Sequence, residues 1–552
     1  MASDEIARAT PASVPRPKLH GRAFYESIGS PKYIVAPMVN QSEFAWRMLS
    51  RSFMPESEKS SLLAYSPMFH SKLFAGHPKY RVQQFQPTKP GSDIPFLDGN
   101  PAIDRPLFVQ FCANDPQLLL TAARHVAPYC DAVDLNLGCP QGIAKTGHYG
   151  SFLQEDQELI YRLINTLHEH LDIPVTAKIR ILDTKEATLK YAQNVLSAGA
   201  SILTVHGRRR EQKGHLTGLA DWQMIRYLRD NLPPETVLFA NGNILQHGDL
   251  EKCLAATGAD GVMSAEGNLS NPAIFAAPPP ADQQIRGYWH GTEGKGGWRV
   301  DEVFRRYLDI LHQYVLEVPP PTRRPLYMPG DDTAWMDEEI VLPGMQSQGG
   351  GGKAGKPKKR KNELARENPA LHSTNFGAMQ PHLFHLLRHF VARHQDVRDA
   401  LARVRTGDME MYEAICRLVE KKVAEGILEY ERTDGKSIEE DTLAGAVGAA
   451  AEAGKEELED DPESSTRAIR ECKRPWWVVQ PIIRPLPQEA IAKGAVQPSK
   501  KEKKRMAAEM EAERQEDKDV KRSRDGAVDD KPATTVELEK TTSYPSSELV
   551  SG

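Results

Sequence analysis

Eight short apolar runs of strand length recur between residues 31 and 275, at 33–36, 62–65, 107–111, 132–137, 175–179, 202–205, 237–240 and 261–263. Stretches of helical spacing lie between them, at 116–127, 154–170, 188–198, 222–231 and 249–257. Strands that alternate with helices run parallel, because each helix carries the chain back to the end where the previous strand began. Eight such units in one domain-sized block close into a barrel with the helices outside. The competing arrangement is an open, doubly wound sheet that holds a dinucleotide after its first strand. The glycine fingerprint needed there is missing, and Pro37 stands in its place. The predicted fold is therefore α/β: a (β/α)8 barrel, then a smaller all-helical domain and disordered charged tails.

At 552 residues the chain is too long for one ordinary domain, and its 40% hydrophobic share does not support a core along its whole length. Helical periodicity returns at 300–318 and 381–432. The stretch between them, about 319–369, is rich in Pro, Gly and Lys, contains GGGG and KPKKRK, and is predicted to be disordered. After an acidic Ala/Gly-rich linker comes an aromatic island, PWWVVQPIIRPLP at 475–487. Its prolines make an extended strip, which is expected to pack back onto the body rather than offer Trp476 and Trp477 to bases. One segment inside the barrel region, PTKPGSDIPFLDGNPAID at 87–104, reads as a surface insertion on a strand-to-helix loop of the catalytic face.

The net charge of -5 neither favours nor excludes nucleic acid, since acidic and basic residues are segregated. The six cysteines (Cys112, Cys130, Cys139, Cys253, Cys416 and Cys472) form no CxxC pair and no zinc spacing, so free thiols and no metal are expected. No apolar run reaches the ~20 residues that span a bilayer. Asp4 and Glu5 count against a transit peptide. A soluble protein of the cytoplasm, the nucleus or both is expected. The basic run Pro357–Lys361 reads as a nuclear localisation signal, or else as a solvated basic linker.

In a parallel barrel the reacting groups sit at the C-terminal strand ends. Ala36-Pro37-Met38 ends the first strand, and Gln110 lies near the end of the third. Asn136-Leu137-Gly138-Cys139-Pro140 ends the fourth, Lys178 the fifth and His206 the sixth. Asn241-Gly242-Asn243 ends the seventh and Ala265-Glu266-Gly267 the eighth. Each has an ordinary reading taken alone: a rim charge, a structural histidine, a small apolar cysteine, a turn. One polar or reactive residue at nearly every strand mouth is not what packing alone places.

Together they suit FMN. Its ring needs donors near N1, O2 and O4 to hold the charge of the reduced form, and Lys178, Gln110 and His206 can supply them. Pro37 and Met38 give an apolar floor. Gly242 and Gly267 permit close approach to a phosphate, with helix N-termini beyond both loops. Cys139 lies in a Gly-Cys-Pro turn stiffened by Pro140. An ordinary thiol is mostly protonated at neutral pH, which suits a proton donor. It also suits a nucleophile, a metal ligand or a redox thiol, the last two weakened by the missing CxxC partner.

The strings APM, VQF, DLNLGCP, GSFL, VTAKIR, TVHGR, NGNI and SAEG, in this order, resemble the signatures of the tRNA-dihydrouridine synthase family. The resemblance covers about residues 33–275, and FVQFCANDP and DLNLGCPQGIAKTGHYG look most like the eukaryotic subclass acting at positions 16 and 17 of tRNA. It implies FMN held by Pro37, Met38, Val39, Gln110, Lys178, His206, Asn241, Gly242, Asn243, Ala265 and Glu266, with Gly267 adjoining. It implies NADPH (or NADH) as reductant and Cys139 as the catalytic acid, with hydride delivered to uracil C6 and the proton to C5. Asn136, Lys145, Arg180 and Arg208 are implied near the target base or its backbone.

The domain plan that follows has a flexible arm at 1–29, the FMN-binding barrel at 30–280 and a helical tRNA-binding domain at 296–432, interrupted at 319–369. An acidic linker (433–470), the aromatic segment (471–495) and a charged tail (496–552) complete it. Arg388, Arg393 and Arg398, with Arg403, Arg405 and the interspersed His382, His385 and His389, are the candidate tRNA surface; the plain alternative is a solvated helix face. A monomer that binds tRNA and NADPH, with no membrane and no metal, is expected. Two other readings stay open: a flavin barrel acting on a small free pyrimidine, as dihydroorotate-type barrels do, and a non-catalytic RNA-binding protein.

Overall fold

Each apolar run forms a strand in the computed structural model, which describes residues 18–214, 217–291, 296–343, 373–437 and 474–483. The strands are β1 Tyr33–Val35, β2 Leu62–Tyr65, β3 Leu107–Cys112, β4 Ala132–Leu137, β5 Val175–Arg180, β6 Ile202–His206, β7 Val237–Asn241 and β8 Gly261–Ser264. All neighbours pair parallel, and β8 returns to β1 (Tyr33 opposite Val262), which closes the barrel. β5, β6 and β7 run one residue further than their apolar runs, because Arg180, His206 and Asn241 continue the ladder despite their polarity.

The side-chain period of two divides the strands between two cores. Val109, Val133, Leu135, Ala177, Leu203, Leu238 and Val262 point outward and pack under the helices. Ile34, Leu63, Tyr65, Phe108, Ala132, Ile202, Val237, Phe239 and Met263 fill the interior. The described part of the stretch 1–29 is not the flexible arm expected: its helix Gly21–Ser27 plugs the N-terminal end of the barrel, with Phe24 stacked on Phe108 at 5.8 Å and the Tyr25 hydroxyl donating to Asp260 O at 3.1 Å. The outer helices start where local chemistry permits. Asp115 accepts from the amides of Gln117 and Leu118 with Pro116 at the first position, and Asp156, Thr184 and Asp221 cap three more. In Gln157–His170 the stripe Leu159, Ile160, Leu163, Ile164 and Leu167 is buried, each side chain contributing about 1.5–3 kcal/mol.

Other expectations need correction. The 87–104 segment is not a strand-to-helix loop of the catalytic face. The helices Ser71–Gly76 and Pro78–Gln84, unmarked in the sequence reading, already complete that unit, so the segment leads into β3 from its N-terminal side. Arg47 anchors it there through Asp104 (2.5 Å) and Asp98 (2.9 Å), all three buried. Residues 319–343, expected to open a disordered insertion, are packed. Arg323 pairs with Glu413 and Asp309, and Leu326 and Tyr327 are buried. Proline-rich composition does not separate a loose linker from an extended strip with partners. Finally, Pro381 does not begin a helix; it lies inside Thr374–Leu386, exposed, with Gly377 one turn before it.

The helices Val300–Ile310, Thr374–Leu386, Arg388–Arg393, Gln395–Arg403 and Met409–Arg432 pack together and onto the barrel helix Phe44–Ser52. Arg305 pairs with Glu420 at 2.7 Å inside this body. At the join, His382 stacks on Trp46 at 3.9 Å and hydrogen-bonds Glu43 at 3.0 Å. His382 is thus a buried structural residue, not part of an RNA-facing surface. Residues 474–482 run beside Gly297–Trp298, with Val300 N donating to Trp477 O and Val479 N to Trp298 O, both at 2.9 Å. Trp477 is buried against Trp289 and Tyr430.

By their contacts the residues divide into two units, Met1–Glu211, Ala220–Glu452 and Cys472–Ile482 being one, and Gln212–Leu219, Ala453–Glu471 and Ile483–Gly552 the other. In the second, Gln212 Nε2 donates to the carbonyls of Thr217 and Leu219. Residues 1–17 of the expected arm, the Pro357–Lys361 run, nearly all of the acidic linker, Cys472 and the charged tail lie outside the described residues.

Candidate active site

Alternation along the strands decides which polar groups meet inside the barrel mouth. Counting by twos from the interior apolar layer puts Gln110, Asp134 and Asn136, Thr176 and Lys178, Thr204 and His206, and Asn241 on the inner face. Asp134, which the strand-end reading passed over, lies fully buried below the mouth. It accepts from Gln110 Nε2 at 2.8 Å and from Thr176 Oγ1 at 2.7 Å. Burial raises its carboxyl to about 6, against those two hydrogen bonds and the Lys178 charge. It is therefore mostly ionised at neutral pH.

Gln110 Oε1 in turn accepts from Asn136 Nδ2 at 2.8 Å. Asn136 Oδ1 accepts from the amides of Gly138 (3.1 Å) and Cys139 (2.9 Å). Both amide ends of Asn136 are thus engaged within the protein, and the contact with a target base implied for it is limited to its second Nδ2 proton. Gln110 is likewise left with one Nε2 proton for a ligand.

The turn around Cys139 is held from three sides. Ser151 donates to Cys139 O through its amide (3.1 Å) and its hydroxyl (2.9 Å). Arg180 Nε donates to Gly138 O at 2.8 Å. The chain folds over the cysteine at Gly150 (φ 66°), where a Cβ would lie 2.8 Å from Cys139 O, so only glycine fits. Cys139 keeps intermediate exposure, whereas Cys112, Cys130, Cys253 and Cys416 are buried.

Lys178 Nζ donates to Asn241 Oδ1 at 2.9 Å, and Asn241 Nδ2 to Met263 O at 3.0 Å. Burial pushes the Lys178 ammonium down to about 7, helped by the Arg180 cation and opposed by Asp134. Arg180 itself is lowered to about 10 by burial. Burial, then Arg180, Lys178 and Arg208, push the imidazole of His206 well below its usual range, so the ring is neutral. Arg208 Nη1 lies 3.2 Å from His206 Nε2, and a guanidinium only donates, so the ring proton sits on Nδ1. Arg208 also donates to Asn243 Oδ1 at 2.6 Å. Arg180 and Arg208 are both buried and both donate to groups of the mouth. Lys145 is exposed on the short helix Gly142–Thr146.

Around the last two strands the expected glycines sit close to protein. A Cβ on Gly242 (φ 115°) would lie 2.6 Å from that of Ala220, and one on Gly267 2.2 Å from Ile244 O. Beyond β7, Asp249 already accepts from the amides of Leu245 (2.9 Å) and Gln246 (3.0 Å). Pro37, Met38 and Ala265 are half-buried and Val39 exposed; Glu266 opens the short helix Glu266–Ser270. Arg388, Arg393, Arg398, Arg403 and Arg405, with His385 and His389, are exposed on the helical domain.

A cavity of about 1100 Å³ lies elsewhere, lined by Arg51, Arg105, Asp131 and Arg306 near the N-terminal strand ends. None of the strand-end residues lines it. No group of three metal-ligating side chains occurs among the described residues.

The closed parallel barrel, with amides, a lysine, two arginines and the thiol of Cys139 gathered at its C-terminal mouth, has the form of a (β/α)8-barrel enzyme. The dihydrouridine synthase (Dus) family model matches residues 34–292. The chain is 40% identical over 477 residues to a tRNA-dihydrouridine(16/17) synthase, NAD(P)(+), of Schizosaccharomyces pombe, covering 86% of this chain and 94% of that protein. It is 55% identical over 296 residues to the Saccharomyces cerevisiae protein of the same name, covering 54% of this chain and 64% of the relative. A mouse protein named as like these is 44% identical over 301 residues, 54% of this chain and 55% of its own. The chain belongs to the dihydrouridine synthase family.

Proposed function

We propose that this protein reduces uridine to 5,6-dihydrouridine in tRNA, at positions 16 and 17, with NAD(P)H as the electron source. Support comes from the 94% coverage of a relative so named, together with a mouth that holds the half-buried thiol of Cys139 and the half-buried ammonium of Lys178. The donor set suits FMN. Among the described strand residues facing the mouth, Asp134 is the one carboxylate, and it lies below the rest. Lys178, brought down to about 7 by burial and by the Arg180 cation, would gain its charge back beside a negatively charged ring or phosphate. When bound, FMN carries hydride from NAD(P)H to uracil C6.

The chain's own groups do the rest. Lys178 and the remaining Gln110 proton would hold the ring of the cofactor, Pro37 and Met38 would pack against it, and the backbone at Asn241–Asn243 and Ala265–Gly267 would take its phosphate. Cys139 Sγ gives its proton to C5, becomes a thiolate and is reprotonated from solvent. The exposed arginines of the helical domain hold tRNA phosphates. A small free pyrimidine as substrate leaves that domain and its arginines without a use.

Cys139→Ala tests the acid role. The variant is expected to keep flavin and NADPH oxidation but to lose about 10²–10⁴-fold in single-turnover reduction of tRNA by the prereduced protein. Near-parental single-turnover reduction would sink the assignment. Parallel assays on free uridine and orotate separate the small-pyrimidine reading.

A further inference from the structure

We propose that Asp134 is a positioning residue for the proton donor: it fixes a one-way chain of hydrogen bonds, Asp134 to Gln110 to Asn136, that aims the Cys139 turn. The inference rests on Cys139 being the acid.

The direction of the chain is set by its far end. Gly138 N and Cys139 N are backbone amides and can only donate. Both point at Asn136, so its acceptor Oδ1 must face them and its Nδ2 must face Gln110. Gln110 Oε1 then faces Asn136, and Nε2 faces Asp134. The last partner must accept, and a carboxylate oxygen does so without choice. Without an acceptor at that point Gln110 could flip, and a flip would set Asn136 Nδ2 against two N–H donors. Thr176 Oγ1 holds the other carboxylate oxygen at 2.7 Å and keeps the carboxylate from rotating. An ionised acid in a barrel core is costly, and burial raises its carboxyl. By register its inner-face neighbours are Gln110 and Thr176, with the hydroxyls of Tyr65 and Thr204 close by, and in this polar cluster Asp134 is the one acid and the acceptor for both register neighbours. The chain supplies a need, because the proton donor must meet one carbon of a large substrate, and a misplacement of about 1 Å can cost 10²-fold.

The test compares Asp134→Leu, which removes both acceptors, with Asp134→Asn. The asparagine can turn Oδ1 to Gln110 and donate through Nδ2 to the Thr176 hydroxyl, so it preserves the chain. Three rates are read on the flavin-loaded protein: flavin reduction by NADPH, single-turnover reduction of tRNA uridine after prereduction, and alkylation of Cys139 by iodoacetamide, followed on its peptide by mass. For Asp134→Leu, tRNA reduction is expected to fall about 10- to 100-fold further than flavin reduction does, since the latter feels only the loosened Gln110 and Lys178. Cys139 alkylation should change by more than about threefold, as a turn released from its anchor samples other orientations. Asp134→Asn is expected to restore all three rates to within about threefold.

The proposal is overturned if Asp134→Leu reduces tRNA at the parental rate, if both half-reactions fall together, or if Asp134→Asn is no better than leucine. Should the leucine variant not fold, hydrogen exchange in the parent decides. The Gly138 and Cys139 amides should exchange at least about 100-fold slower than in a free peptide, and free-peptide rates overturn the chain. Cys139→Ala, run alongside, separates the two readings. If it still reduces tRNA, the acid role has failed; if it does not while Asp134→Leu does, only the positioning role has failed.

Discussion

Lys178 shows how one residue type acquires a function from its surroundings. On a surface its ammonium would stay charged to high pH; here burial brings it to about 7. A lysine lowered in this way is neutral above about 7 and must take up a proton when an anion arrives. Affinity for the reduced, anionic form of a flavin is therefore expected to fall as pH rises above about 7, and to stay level below it. Lys178→Met should remove that dependence. It should also lower the two-electron potential by roughly 30–60 mV, the equivalent of losing a charge-assisted hydrogen bond of about 1.5–3 kcal/mol. The measurement is the potential of the bound flavin between pH 6 and 8.5, and equal potentials with equal slopes in parent and variant would refute the role.

Among the elements, the helix Phe44–Ser52 joins the barrel to the helical domain. Trp46 lies flat under His382 and donates through Nε1 to Asn268 Oδ1 at 2.8 Å. Glu43, just before the helix, is buried with His382 as its partner, and Arg306 stacks on Phe53 at 4.2 Å. Removing one member of such a buried pair leaves the other without compensation. His382→Ala is expected to cost about 3 kcal/mol in urea unfolding, and Glu43→Gln in the same chain to recover part of it. A loss below about 1 kcal/mol would show that the contact is incidental. The periodicity of 381–432 revealed helices but not this role. A histidine reads the same in sequence whether it faces solvent, like His385, or a tryptophan.

For the whole molecule, the question is how a barrel mouth engages a folded RNA. Extruding a base costs a few kcal/mol, which contacts elsewhere must offset. The exposed Arg388, Arg393 and Arg398 are the candidates, among acidic neighbours such as Asp399, 3.6 Å from Arg398. Reversing all three to Glu in the full chain is expected to weaken tRNA binding and reduce the slope of log K against log salt by about 2–3, leaving flavin reduction unchanged. Parental affinity and slope in binding titrations at two salt concentrations would place the RNA surface elsewhere. Cutting the chain near Ala276 is a poorer experiment, because it would expose Trp46, Glu43 and Asn268, which the helical domain covers.

The barrel was legible because periodicity is local. Strand-length runs, helical stripes and caps such as Asp115-Pro116 are set by neighbours in the chain, and eight units leave one simple closure. The strand-end residues were legible for the same reason: a polar residue at the end of an apolar run must lie at the mouth. Asp134 shared that pattern, two residues before Asn136, but inside an apolar run it read as part of the strand. What it touches, Gln110 on one neighbour and Thr176 on the other, depends on strand register, which no single run contains. Tertiary structure likewise decided that Arg180 and Arg208 support the mouth, that 319–343 is packed, and that His382 is a joint. A long polar side chain takes its role from whichever partner the closed fold brings within about 3 Å, and those partners lie dozens to hundreds of residues away.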